Sequence, residues 1–145
     1  QAICEETGIK IAQLHGDKSR NQHQYLPEAI ARIYVLHIDK NGNQVNTNDS
    51  YLSFLRAERD FILFDNICGG SGKLINSVNI VPMDKNMRFF VAGGLSKKTV
   101  QSVLNETDPY GVDVSSGVED SDSKKSFEMI REFIGQVDYE KQDSK

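Results

Sequence analysis

Five short apolar runs recur along the chain, at residues 9–14, 33–38, 61–64, 89–92 and 112–114, and their starts are roughly 22 to 29 residues apart. That spacing is one strand plus a crossover helix, which parallel strands require because a tight turn cannot join them. The runs are rich in Ile, Val, Leu and Phe and lack a clean in/out alternation, as expected of strands buried on both faces. Helical signals fill the gaps at 17–30, 48–57, 96–105 and 126–137, with Pro27 ending the first early. The last is the best amphipathic stretch, with Phe127, Ile130, Phe133, Ile134 and Val137 along one face. The stretch 73–86 contains Pro82 and no helical pattern. The sequence opens on what reads as the end of a helix, with Gly8 as its stop.

The chain is therefore read as an α/β unit of five βα repeats. Two architectures use that alternation, an open doubly wound sheet and a segment of a closed (β/α)8 barrel. A complete barrel takes about 200 residues or more, and this chain has 145. Residues 1–138 are read as one unit and 139–145 as a flexible tail. The loop DKNGNQVNTN, residues 39–48, is a surface excursion that turns most tightly at Asn41-Gly42.

Composition excludes several classes. A net charge of -4 with no basic stripe argues against nucleic acid, and no apolar run approaches the ~20 residues of a membrane helix. Cys4 and Cys68 have no CxxC or Cys/His spacing, which argues against a disulfide framework or a zinc site. A soluble intracellular protein is expected, in cytoplasm or plastid.

In both architectures ligands meet the carboxyl ends of the strands. Those ends carry His15-Gly16, His37-Ile38-Asp39, Asp65-Asn66, Gly93-Gly94-Leu95 and Asp113 through Gly117. Gly93-Gly94 runs straight into a helix signal, and Ser115-Ser116-Gly117 precedes another turn. Successive backbone N–H groups with no side chain in the way make a concave anion site. Two such adjacent loops point to a phosphate.

IAQLHGDKSR, FDNICGGSGK, FVAGGLSKKTV and GVDVSSGVED occur in that order. Together they resemble the phosphoribosylanthranilate isomerase family, whose fold is the (β/α)8 barrel. The resemblance places this chain at strands four to eight. It implies an Amadori rearrangement of N-(5-phosphoribosyl)anthranilate in tryptophan biosynthesis, with a small phosphosugar substrate, no cofactor and no metal. It assigns Asp65 as the general acid, His15 and Asp113 as pocket residues, and Lys73 of GGSGK as a positive charge on a loop over the site. The phosphate falls to the backbone around Gly93, Gly94, Ser115, Ser116 and Gly117.

His23 and His37 match no family role, and His37 is read as a strand-end packing residue. The family's general base is a cysteine in a K-x-C-G strand, a pattern this sequence does not contain. Neither Cys4 nor Cys68 matches that position. The expectation is a portion of the barrel holding the acid and the phosphate site, inactive until an N-terminal half supplies the base. LINSVNIV after GGSGK also departs from the family's aromatic-Asp/Asn-Trp pattern. Two alternatives remain at this point. A non-catalytic phosphosugar-binding module on an open sheet is one. An indole-glycerol-phosphate synthase is the other, and it should carry strand-end lysines that are absent here.

Overall fold

The computed structural model describes residues 2–45, 49–66, 80, 82 and 84–143. Five strands form one sheet: β1 (Ile11–Leu14), β2 (Ala31–Ile38), β3 (Phe61–Asn66), β4 (Arg88–Ala92) and β5 (Gly111–Val112). The helices are α1 (Ala2–Thr7), α2 (Asp17–Arg20), α3 (Val100–Thr107) and α4 (Phe127–Asp143). Every strand pair is parallel, and the spatial order is the sequence order, β1 through β5. A doubly wound sheet reverses its order at a switch point. No reversal occurs here, so the open-sheet alternative gives way to the arc of a barrel. No helix among the described residues is long and apolar enough to cross a membrane.

Alternate residues of β2, β3 and β4 serve two cores. Tyr34, Leu36, Ile38, Ile62, Phe64 and Val91 face the helix layer, where they join Val100, Val103 and Phe133. Val35, Leu63 and Ala92, flanked by Ile33 and Phe90, form a smaller cluster on the opposite face. Burial on both faces explains the continuous apolar runs.

The helices depart further from expectation than the strands. The helix read over 17–30 shrinks to the single turn of α2 followed by a 3-10 turn, His23–Tyr25. Asn21 and His23 are poor helix formers and Pro27 cannot continue one. Arg20 fixes the short helix to the sheet: its buried guanidinium donates to the Val35 carbonyl at 3.0 Å and pairs with Asp17. The helix read from residue 96 is α-helical from Val100, after a turn in which the Ser96 carbonyl accepts the Thr99 and Val100 N–H groups (3.1 and 3.0 Å) and Thr99 Oγ1 accepts the Ser96 N–H (2.9 Å). On α4 only Phe133 of the apolar face is fully buried, and Phe127 and Ile134 remain 81% and 51% exposed. That helix runs on to Asp143, past the end of its apolar spacing.

At the amino ends of β2 and β3 the fold is held by a buried carboxylate. Asp60 accepts the backbone N–H groups of Arg32 and Arg56, each at 3.0 Å, and the Arg59 side chain at 2.9 and 3.1 Å. Arg32 in turn donates to the carbonyls of Ile30 and Leu26. This network ties the incoming loops together on the rim opposite the strands' carboxyl ends.

Candidate active site

Three strand ends bring ionisable groups together. His37 and Asp65 are register partners on β2 and β3. They lie on the same face as Val35 and Leu63, away from the helix layer, because side chains two apart share a face. His15 follows β1 directly. Its Nε2 is 2.9 Å from His37 Nε2, one ring donating and the other accepting, and 3.8 Å from Asp65 Oδ2. Burial, and then the neighbouring His15, hold the His37 imidazole below its usual range, against the opposing pull of Asp65. The loop after β2 folds back on this end: Val45 N–H donates to the His37 carbonyl at 2.8 Å, and Asp39 accepts the Asn41 and Asn43 amides.

The glycine and serine turns lie beside this trio. Gly93 and Gly94 take φ of 84° and 75°, a left-handed pair that side chains resist. A Cβ on Gly93 would stand 2.6 Å from the Asn66 backbone nitrogen. On Gly117 it would stand 1.8 Å from the Leu95 carbonyl oxygen. The turns after β4 and β5 therefore meet backbone to backbone, which only glycine permits. Lys125 fastens the second turn, donating to the Ser115 carbonyl (2.9 Å), Ser115 Oγ (3.0 Å) and Glu119 (2.6 Å).

One cleft of about 490 Å3 at the carboxyl rim is lined by His15, His37, Asp65, Gly93, Gly94, Asp113, Ser115 and Ser116, among others. Of the residues singled out from the sequence, Gly117 lies behind that lining, packed on Leu95. Lys73, with the rest of GGSGK and Cys68, falls outside the described residues. Cys4, on α1 ahead of β1, is not in the lining. No Lys or Arg is among the described lining residues, so an anion here would meet backbone N–H groups and hydroxyls. Sequence reasoning left His37 out of the site. Its position two residues beyond Val35, opposite Asp65, was the signal that could have found it.

A parallel sheet in barrel order, with ionisable groups and glycine turns on its carboxyl rim, defines an arc of a (β/α)8 barrel. A family model described as N-(5'phosphoribosyl)anthranilate (PRA) isomerase matches residues 1–136. The chain belongs to that family. It is 33% identical over 133 residues to the N-(5'-phosphoribosyl)anthranilate isomerase of Streptococcus pneumoniae, covering 92% of this chain and 60% of that relative. Among solved structures it is similar to the phosphoribosyl anthranilate isomerase of Thermotoga maritima, with a TM-score of 0.70, 28% identity, and coverage of 94% of this chain and 65% of that one. It is also similar, at a TM-score of 0.66 and 25% identity, to such an isomerase in complex with reduced 1-(o-carboxyphenylamino)-1-deoxyribulose 5-phosphate; this match covers 94% of this chain and 63% of that one. The chain thus spans less than two thirds of the length of these relatives.

Proposed function

We propose that this chain carries the general acid and the phosphate site of an isomerase that converts N-(5-phosphoribosyl)anthranilate to 1-(2-carboxyphenylamino)-1-deoxyribulose 5-phosphate. The observation that carries the reading is the shared cleft, where Asp65 and both glycine–serine turns line one cavity on one rim. In the reaction Asp65 gives its proton to the ribose ring oxygen as the bond from that oxygen to C1 breaks. The anthranilate nitrogen lone pair fills the gap, leaving an open-chain iminium. Loss of the C2 proton then gives an enaminol, which tautomerises to the ketose.

His15 and His37 hold the Asp65 side of the cleft, and Asp113 orients hydroxyls or the aminobenzoate. Gly93, Gly94, Ser115, Ser116 and Gly117 seat the phosphate on backbone N–H groups. Lys73 is assigned a supporting positive charge by the family resemblance alone. The base that takes the C2 proton is not assigned to a residue of this chain.

The test is Asp65→Asn in the protein that carries this chain. Loss of a general acid lowers turnover by about 10²- to 10⁴-fold, and affinity for the reduced ketose analogue should hardly change. Unaltered turnover would overturn the assignment. Analogue binding with no turnover in the unmodified protein would instead favour a non-catalytic phosphosugar-binding module.

A further inference from the structure

The approach of two imidazole nitrogens and a carboxylate on the rim matches a second kind of chemistry. One ligand atom from each of His15, His37 and Asp65 lies within 4.8 Å of the other two. The nitrogens are 2.9 Å apart, and His15 Nε2 is 3.8 Å from the Asp65 oxygen. Two nitrogens held at about 2.0–2.1 Å by one ion stand about 2.9 Å apart at a right angle and about 3.3 Å apart at a tetrahedral one. Ligands of one such ion can be no more than about 4.2 Å apart. Both separations measured from His15 Nε2 fall within that limit, and the His15 side chain, 57% exposed, has room to turn toward an ion.

The backbone favours the same conclusion. The three residues stand at or just beyond the ends of three adjacent, hydrogen-bonded parallel strands, with His37 and Asp65 paired in register. Their spacing is set by the sheet and not by a loop, as a precise ligand set requires.

We propose that His15, His37 and Asp65 bind one borderline divalent cation, Zn2+ or a neighbour such as Co2+, in a three-ligand site with its remaining positions open to the cleft. Two imidazoles and one carboxylate suit these ions, whereas Mg2+ and Ca2+ favour sets made of oxygen. The bound ion takes the Asp65 oxygen and so blocks the phosphosugar; only this consequence rests on the function proposed above.

The 145-residue chain is titrated with CoCl2 by visible absorption and with ZnSO4 by calorimetry, in excess Mg2+. One ion per chain is expected. His37→Ala and His15→Ala should each weaken binding by about tenfold or more, with an unchanged far-ultraviolet dichroism spectrum. His15 is exposed, so its loss does not threaten the fold. Cys4→Ser/Cys68→Ser should leave binding intact. Equal affinity in both histidine variants, or loss of the ion in the cysteine variant, overturns the site. In the protein that carries this chain, Zn2+ binding without any binding of the reduced ketose analogue would refute the proposed function and leave the metal site standing.

Discussion

Lys125 is the residue whose contribution is easiest to overlook. Its ion pair with Glu119 is half exposed and contributes little by itself, as surface pairs do. Its two bonds to Ser115 matter more, because they hold the turn that lines the cleft. Lys125→Met should weaken binding of inorganic phosphate by about tenfold, the size of one lost charge-assisted hydrogen bond. Lys125→Arg should restore part of it, and isothermal titration would read both. Equal affinity in the Met variant would show that Ser115 holds its place unaided. Single residues were unevenly legible in the sequence. Asp65, Gly93 and Gly94 stand out by type and position, but Lys125 is one charge in a run of charges. Only the folded turn shows that it reaches back ten residues.

Among elements, the strands were legible and the helices only in part: the opening helix with its Gly8 stop and the start of α4 fell where read, whereas α2 and α3 came out shorter. Burial on both faces forces apolar residues into the central strands β2, β3 and β4, and all five runs became strands with ends shifted by a few residues. Helix extent depends on anchors such as Arg20, which no periodicity reports. The same holds for the Asp60 network, whose four donors come from three separate residues. Asp60→Ala would leave buried arginine groups without their acceptor and should cost about 3 kcal/mol in urea unfolding. A loss below about 0.5 kcal/mol, the size of an ordinary surface change, would contradict that role.

Next to this network His23 is buried beside Arg32 and Phe54. Burial, and then Arg32, lower its pKa from 6.5, against a smaller opposing effect of Asp60. A depressed folded pKa means stability that is complete above the unfolded value and is lost as pH falls through the folded one. Urea midpoints should therefore drop below pH 6.5, less steeply in His23→Gln. Parallel curves for the two proteins would show that His23 is not the titrating group.

For the whole molecule, strand spacing alone left open sheet and barrel arc equally available, since the spatial order of strands is not encoded in their period. Parallel pairing in sequence order resolved it, and that order puts every strand's carboxyl end on one rim. The other rim carries a second, basic cleft lined by Arg32, Arg56 and Arg59 with Glu28, which by charge alone is a rival home for a phosphate. The measurement that separates the two is amide nuclear magnetic resonance of the chain during titration with inorganic phosphate. Shifts should concentrate at Gly94, Ser115, Ser116 and Gly117, extend to Asp65, and vanish in Gly117→Ala, whose new Cβ would force the two turns apart. Shifts concentrated at Arg32, Arg56 and Arg59, with the glycine turns silent, would contradict the account.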